Sequence, residues 1–478
     1  LSARGVIQQV FPLHEQRILG QLMKSWVQAV CEKQPLDDIC DYFGVKVAMY
    51  FAWLGFYTTS MLYPAVIGFV LWMLTESDQT SRDICCVVFA LFNVVWATLF
   101  LERWKRREAE LAYKWGTLDP PAESLEEPRP QFRGVKRCSP ITGREEFYYP
   151  PWRRRLFRWL VSLPVCILCI CFVFLVMLIC FELQEFVMGI KEMPRLARFI
   201  PKIMLAITVT ACDEVYRKIA CWLNDMENYR LQSAYEKNLI IKMVLFQFVN
   251  SYLSLFYIGF YLKDMERLKE MLATLLIIRQ FLQNVKEVLQ PYLYERHKLG
   301  ELTPRAVWDL LLSVLLKYAP PSLLAVVHFC SSQDTFQDYQ EMFVQFGYVV
   351  LFSSAFPLAA MCALINNIIE IRSDAFKLCT GLQRPFGIRV ESIGQWQTAM
   401  EVMGLIAIIV NCYLIGQCGQ LQRLFPWLSP EMAIISIVIL EHFAIFLKYV
   451  IHVAIPDIPT WVQEEMTKLD YQRREAFK

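Results

Sequence analysis

The stretch Leu163-Pro-Val-Cys-Ile-Leu-Cys-Ile-Cys-Phe-Val-Phe-Leu-Val-Met-Leu-Ile-Cys-Phe181 contains no charged residue. A run of about 20 apolar residues is long enough to cross a bilayer as an α-helix. Similar runs recur between residues 54 and 455, and 56% of the chain is hydrophobic. In hydrocarbon only helices and closed barrels satisfy the backbone hydrogen bonds, and runs this continuous lack the alternation of a barrel strand. The sequence therefore predicts an all-α polytopic membrane protein.

We predict ten transmembrane helices per subunit, one for each apolar run. Their approximate bounds are 54–75, 84–102, 156–183, 199–221, 239–262, 268–290, 336–356, 357–378, 396–416 and 431–455. Residues 1–45 are mostly polar and are expected to be the end of an N-terminal cytosolic domain. A transmembrane domain at 46–460 and a cytosolic tail at 461–478 follow. The segment 302–333 is atypical, because its two apolar patches are too short to span; it is interpreted as an interfacial or cytosolic helical hairpin.

Basic residues set the predicted orientation in the membrane. The loop 103–155 carries thirteen Lys and Arg residues, whereas the loop 76–83 carries only Arg82. The positive-inside rule therefore places loop 103–155, and with it both termini, in the cytosol. Three basic residues on the predicted outer side weaken this assignment; they are Lys191, Arg195 and Arg198.

Composition and motifs argue against several classes of function. The net charge is only +2, so the sequence does not indicate a nucleic-acid partner. The sixteen Cys residues form no spaced framework, and Cys166, Cys169 and Cys171 within an apolar run are interpreted as packing residues. The five His residues form no ligand cluster, and no nucleophile–base set, P-loop, GxGxxG or HExxH motif is found. We therefore do not expect an enzyme.

Five acidic residues lie within or at the edge of apolar runs from three successive predicted helices. They are Glu287, Asp338, Glu341, Glu370 and Asp374. A charged side chain near the bilayer centre costs about 3 kcal/mol even on lenient scales, so such residues need partners. The predicted topology places all five at a similar depth on the cytosolic side. Spacings of i,i+3 for Asp338 and Glu341, and of i,i+4 for Glu370 and Asp374, put each pair on one helix face.

Calcium is the cation that suits these ligands, because it takes 6–8 oxygen atoms. Neutral amide oxygens are available nearby from Gln283, Asn284 and Asn366. Two Ca²⁺ ions would leave a charge of −5 + 4 = −1, so the sequence predicts a site for one or two ions. An alternative remains for Asp338 and Glu341, which the helix dipole also favours at a helix N-terminus. Glu370 and Asp374 lie near the C-terminal end of a predicted helix, where the dipole disfavours negative charge. They are therefore the stronger indication of a metal site.

Several motifs resemble the anoctamin family, and together they cover nearly the whole chain from residue 40 onward. They are Tyr42-Phe-Gly-Val-Lys46, Tyr50-Phe-Ala-Trp-Leu-Gly55, Tyr113-Lys-Trp-Gly-Thr117, Glu127-Pro-Arg-Pro130, Glu341-Met-Phe-Val-Gln-Phe-Gly-Tyr348, Phe356-Pro-Leu-Ala359, Asn366-Asn-Ile-Ile-Glu-Ile-Arg-Ser-Asp374 and Ile455-Pro-Asp-Ile-Pro459. The resemblance implies a homodimer of ten-span subunits that acts as a Ca²⁺-activated chloride channel or phospholipid scramblase. It also implies that the five acids are the Ca²⁺ ligands.

The resemblance has further implications for individual residues. Some family members have a glycine hinge on helix six, but the corresponding stretch Leu275-Leu-Ile-Ile-Arg279 has no glycine. Glu102 and Asp457 match an accessory Ca²⁺ site; the alternative is a pair of ordinary interfacial acids near Arg103 and Lys105. Helices three to seven are expected to form a groove for headgroups or anions. Candidate groove residues are Gln247, Asn250, Ser251, Ser254 and Arg279, and interhelical hydrogen bonding is the alternative role for the four on span five.

The predicted function is Ca²⁺-regulated phospholipid scrambling with accompanying ion conductance. A Ca²⁺-activated chloride channel is one alternative, although the sequence contains no strong basic ring for an anion pore. A Ca²⁺-sensing tether is another, because the basic loop 103–155 could contact anionic lipid of an apposed membrane. Expected partners are membrane lipids, small anions and a second copy of the chain. The expected location is the plasma membrane or the endoplasmic reticulum, including contact sites between them.

Overall fold

The computed structural model describes residues 12–29, 32–74, 78–118, 128–140, 143, 145–190, 200–280, 282–284, 335–417 and 419–476. The chain is mainly helical. The first half contains α1 (Gln16–Leu22, followed by a π-helical turn Met23–Val27), α2 (Leu36–Phe43), α3 (Val45–Leu74), α4 (Gln79–Lys114), α5 (Pro151–Gly189, with a π-helical turn Arg158–Ser162) and α6 (Ile200–Met226).

The second half is also helical, and two of its helices are followed by π-helical turns. These are α7 (Gln232–Leu262), α8 (Met265–Thr274, followed by a π-helical turn Leu275–Arg279), α9 (Thr335–Leu351), α10 (Ala359–Phe376, followed by a π-helical turn Lys377–Gly381), α11 (Gln395–Gln417), α12 (Gln420–Leu424), α13 (Pro430–Ala454) and α14 (Thr460–Ala476). The atypical segment 302–333 and the end of the predicted sixth span lie outside the described residues.

Six of these helices are long and apolar enough to cross a membrane: α3, α4, α5, α7, α11 and α13. They coincide with predicted spans one, two, three, five, nine and ten. Predicted spans four, seven and eight fall on α6, α9 and α10, and the sixth begins on α8. The expectation of a helical, polytopic membrane protein is therefore confirmed, while the number of ten spans stays a prediction.

A small β-hairpin qualifies the all-α prediction. Strands β1 (Val135–Cys138) and β2 (Glu145–Tyr148) pair antiparallel in the predicted cytosolic loop, with Val135 opposite Tyr148 and Cys138 opposite Glu145. Val135, Phe147 and Tyr148 have β-branched or aromatic side chains, which favour a strand. Apolar periodicity across a membrane gives no information about such an exposed two-stranded element.

The helices belong to two compact units. The first comprises residues 1–118, 276–393 and 404–478, and the second comprises residues 119–275 and 394–403. In the first unit, aromatic side chains of α3, α4 and α9 form a continuous core. Tyr57 stacks on Trp53 with ring centroids 5.2 Å apart and contacts Phe100 at 5.4 Å, and Phe100 contacts Phe346 at 6.2 Å.

Pro64 lies inside α3 and still leaves the helix continuous. Proline has no N–H, so the carbonyl oxygen of Ser60, one turn earlier, loses its helical donor. The indole Nε1 of Trp96 on α4 donates to that oxygen at 2.8 Å. Gly68, one turn after the proline, approaches the backbone so closely that a Cβ atom would lie 2.3 Å from the carbonyl oxygen of Pro357. These contacts hold α3 tightly against its neighbours.

Asn411 closes the turn that follows α9. Its Nδ2 donates to the carbonyl oxygen of Val350 at 2.9 Å, and its Oδ1 accepts from the backbone N–H of Ser354 at 3.2 Å and from the hydroxyl of Ser353 at 3.1 Å. The side chain is 2% exposed. A single buried amide thus satisfies backbone groups that have no helical partner.

A buried ion-pair network organises the second unit. The fully buried carboxylate of Glu227 lies 2.9 Å from Lys242 Nζ and accepts a 2.7 Å hydrogen bond from Ser162 Oγ. Tyr229 also donates to it, and burial raises the pKa of that phenol. Arg158 Nη2 donates to the Tyr229 hydroxyl at 2.6 Å. This network joins α5, α7 and the turn between α6 and α7.

Replacing Asn411 with Ala is expected to lower the free energy of unfolding by about 2 kcal/mol, because the buried groups of the 350–354 turn lose their partners. Thermal unfolding of the detergent-solubilised protein measures this change. Asn238→Ala is the matched control, since Asn238 Nδ2 donates to Ala234 O within its own helix. Equal losses for the two variants would contradict the assigned role.

Candidate metal centre

Helices α9 and α10 position four of the five predicted acids. Asp338 lies in the first turn of α9 and Glu341 one turn later, whereas Glu370 and Asp374 lie towards the end of α10. Asp338, Glu370 and Asp374 are 6%, 2% and 0% exposed, and Glu341 is half-buried. Glu287 lies outside the described residues, so its predicted role stays a prediction.

Asp374 has two close partners that the sequence analysis did not identify. The hydroxyl of Tyr50, on α3, donates to Asp374 Oδ2 at 2.8 Å. Lys377 Nζ lies 2.9 Å from Asp374 Oδ1 and 3.5 Å from Asp338 Oδ1. One ammonium group therefore links the acids of α9 and α10. The only sequence signal for Lys377 is its i,i+3 spacing from Asp374, and Tyr50 lies within one of the quoted motifs.

Glu341 is held by a different amide from those predicted. Gln280 Nε2 donates to Glu341 Oε1, immediately after the π-helical turn Leu275–Arg279. The predicted ligands Gln283 and Asn284 are half-buried, and Asn284 Oδ1 has no hydrogen-bond partner among the described residues. The amide that contacts α9 is therefore Gln280, about one helical turn before the predicted Gln283.

Several buried amides beside the acids have unsatisfied polar atoms. Asn367, three residues before Glu370, is fully buried, and both of its side-chain polar atoms lack a hydrogen-bond partner in the described parts of the chain. The same holds for both atoms of buried Gln345, four residues after Glu341, and for Nδ2 of the predicted ligand Asn366. Leaving a buried polar group unsatisfied costs about 1–3 kcal/mol. Asn367 is thus a further candidate ligand that the sequence analysis missed.

This set of donors fits calcium, since it consists of carboxylate and amide oxygens with unused capacity. Within the described residues, however, no group of three or more His, Cys, Asp or Glu side chains is close enough together to hold a metal ion. Lys377 contacts one acid of each pair, Asp338 and Asp374. The ammonium group of Lys377 therefore links an acid of α9 to an acid of α10.

The predicted accessory residues surround Lys105. Glu102 is buried and lies 3.4 Å from Lys105 Nζ, while exposed Asp457 lies 4.0 Å from the same nitrogen. His452 Nδ1 also lies 2.9 Å from Glu102 Oε1, a partner that the sequence analysis did not identify. The accessory Ca²⁺ role of Glu102 and Asp457 therefore stays a prediction, as does the alternative of interfacial acids near a lysine.

The four candidate groove residues of α7 are buried and mostly hydrogen-bonded to neighbouring groups. Gln247 Nε2 donates to Asp213, Ser251 Oγ donates to Gln247 Oε1 at 2.8 Å, and Asn250 Nδ2 donates to Val209 O at 3.0 Å. The bonds of Gln247 and Asn250 reach α6 and are of the interhelical kind that formed the alternative, whereas the bond of Ser251 lies within α7. Ser254 Oγ, in contrast, has no hydrogen-bond partner among the described residues.

A small cavity of about 20 Å³ lies beside Asn250 and Ser254 and is otherwise mainly apolar, with Met177 and Leu205 in its wall. A space of this size holds about one water molecule. Arg279, the fifth candidate, donates through Nη1 to the Tyr348 hydroxyl at 3.2 Å.

Comparison with known proteins supports the family resemblance. A family described as "Anoctamin: Calcium-activated chloride channel" matches residues 39–469. Anoctamin-8 of Homo sapiens is 53% identical over all of this chain and 56% of its own length, and Anoctamin-8 of Mus musculus is 52% identical over all of this chain and 64% of its own. Anoctamin-10 of Mus musculus is 39% identical, again over the whole chain and 72% of its own length.

The chain thus spans less than two thirds of the length of these anoctamin-8 proteins. The matched region nevertheless includes every predicted metal ligand and all six long apolar helices. The resemblance found in the motifs is therefore confirmed, and the chain belongs to the anoctamin family.

Proposed function

We propose that this chain forms the membrane-embedded part of a Ca²⁺-regulated transport protein that scrambles phospholipids and conducts ions alongside. The observation that carries the proposal is the burial of Asp338, Glu370 and Asp374 on two packed helices beside unsatisfied amides. Buried charge in a membrane protein is a functional indication, because it is expensive to maintain.

The proposed Ca²⁺ ligands are the four described acids and Glu287, with amide oxygens from Gln283, Asn284, Asn366 and Asn367. When bound, the ion supplies positive charge that offsets repulsion among the carboxylates. Tyr50 orients Asp374 by its hydrogen bond, and Gln280 orients Glu341. These contacts hold two of the acids in place before any ion arrives, and Glu287 is the proposed mobile ligand.

The π-helical turn Leu275–Arg279 is the proposed bending point beside this site. The stretch has no glycine, but π-helical turns are frequent at functional sites and are one cause of helix kinks. Gln280 and Arg279, at its end, contact Glu341 and Tyr348 of α9. We propose that neutralising the acids draws this helix end towards α9 and α10.

The polar face of α7 is the proposed headgroup path. Asn250 and Ser254 are buried, and Ser254 places an unpartnered hydroxyl oxygen beside a cavity. A headgroup in transit needs such polar surface in place of water. Scrambling is preferred to a dedicated chloride channel because the sequence contains no strong basic ring for an anion pore.

The proposal includes ten spans, a homodimer, and cytosolic termini in the plasma membrane or endoplasmic reticulum. Its other candidate function is Ca²⁺-sensing tethering, which the β-hairpin favours. Lys136 and Arg137 lie on an exposed strand with Val135, and Phe147 is exposed on the partner strand. Basic residues beside exposed apolar ones suit an anionic lipid surface. Clustering of anionic liposomes without lipid scrambling would favour tethering.

Asp374→Asn is expected to raise the Ca²⁺ concentration for half-maximal scrambling at least about tenfold, because a buried ligand loses its charge. The measurement follows lipid scrambling and anion flux against free Ca²⁺ on the same proteoliposomes. Asp470→Asn, at an exposed position of α14, should leave the response unchanged. An unchanged response of Asp374→Asn would remove Asp374 from the site.

Ser254→Val is expected to slow scrambling at saturating Ca²⁺ by about fivefold, since a buried polar contact for the headgroup is lost. The Ca²⁺ midpoint should not move, because Ser254 lies outside the acidic cluster. Ser436→Val, on a half-buried position of α13, controls for the substitution itself. A normal scrambling rate with Ser254→Val would place the lipid path elsewhere.

A further inference from the structure

Lys377 occupies a position between the two acidic helices. It is the first residue of the π-helical turn that follows α10, and its ammonium group contacts Asp374 Oδ1 and Asp338 Oδ1 at 2.9 and 3.5 Å. Its side chain is only 21% exposed. Both carboxylates belong to the proposed ligand set, so the lysine lies where an ion shared by them would have to bind.

Arg372 does not take over this role, although it lies on the same helix. It donates to the carbonyl oxygen of Trp26, which directs its guanidinium to the N-terminal segment. Within the part of the chain that the structure describes, Lys377 pairs with both Asp338 and Asp374. Breaking a buried ion pair by removing one partner is strongly unfavourable, since the other charge is then left without compensation.

A lysine is well suited to leave such a position reversibly. Its ammonium is carried on a flexible four-carbon chain, and the partly exposed side chain can extend towards water. A divalent ion interacts more strongly with two carboxylates than a single ammonium does. Displacement of the lysine by the ion would therefore exchange one cation for another on the same oxygens.

We propose that Lys377 is a tethered counter-ion that links α9 to α10 in the absence of Ca²⁺ and is displaced when Ca²⁺ binds. This inference rests on the proposed function, because it assumes that the acids bind Ca²⁺. The lysine then has two effects. It stabilises the ion-free arrangement, and it raises the Ca²⁺ concentration needed for binding.

The test measures thermal unfolding of the purified, detergent-solubilised protein against free Ca²⁺. Lys377→Gln is expected to unfold at a lower temperature in chelator and to reach half-maximal Ca²⁺ stabilisation at about tenfold lower Ca²⁺. Lys377→Arg keeps the charge and should remain close to the wild type. Lys468→Gln removes an exposed lysine ion pair of α14 and should change neither quantity.

A purely structural lysine would give a different result. Lys377→Gln would then lower the unfolding temperature equally at every Ca²⁺ concentration, with an unchanged midpoint, and the inference would be overturned. A Ca²⁺ response in Lys377→Gln but not in the wild type would support it. If neither protein responds to Ca²⁺, the proposed Ca²⁺ binding fails as well, which separates the two failures.

A second pair of variants covers the case in which Lys377→Gln does not fold. Asp338→Asn with Lys377→Gln removes one charge of each sign, so its ion-free state should stay folded. Its Ca²⁺ midpoint is expected to be about tenfold lower than that of Asp338→Asn alone. Equal midpoints for these two proteins would overturn the inference.

Discussion

The burial of charge on α9 and α10 is the constraint on which the rest of the first unit depends. Carboxylates removed from water need partners close by, and the chain supplies them from separate helices. Tyr50 comes from α3, Lys377 follows α10, and Gln280 follows the π-helical turn after α8. Each contact ties another residue of the first unit to an acid of α9 or α10. The helix packing of the first unit therefore depends on the same contacts that compensate the buried carboxylates.

Polar contacts between helices have the same role elsewhere. Lipid tails are as apolar as leucine, so the hydrophobic effect does little to select one helix partner over another in a membrane. Trp96 donates to the carbonyl oxygen of Ser60, which has no helical donor because of Pro64. Asn411 donates to the carbonyl oxygen of Val350 at the turn after α9. In the second unit, the carboxylate of Glu227 pairs with Lys242 and accepts a hydrogen bond from Ser162. Removing one partner of such a buried contact leaves the other unsatisfied, which costs about 1–3 kcal/mol.

Sequence periodicity predicted which residues share a helix face, but not what faces them. The apolar runs located the helices, and the i,i+3 and i,i+4 spacings placed the acids on common faces of α9 and α10. Tyr50 lies 324 residues from Asp374, a separation across which helical periodicity has no information. Gln280 contacts Glu341 in place of the predicted amides because the chain passes through a π-helical turn, which shifts the helix face. The hairpin was missed because short exposed strands carry no apolar run.

Charge balance connects Lys377 to the number of ions that the proposed site can hold. The four described acids and Lys377 sum to −4 + 1 = −3. Two Ca²⁺ ions added with the lysine in place would give −3 + 4 = +1, and Glu287 would bring this to zero. With the lysine moved out towards water, five acids and two ions give −5 + 4 = −1, close to the same balance. Lys377 Nζ contacts Oδ1 of both Asp338 and Asp374, so an ion shared by these two oxygens would compete with the ammonium group for them. Under the proposed displacement, a two-ion site on these helices forms with the lysine moved away, at nearly the same net charge as with the lysine in place.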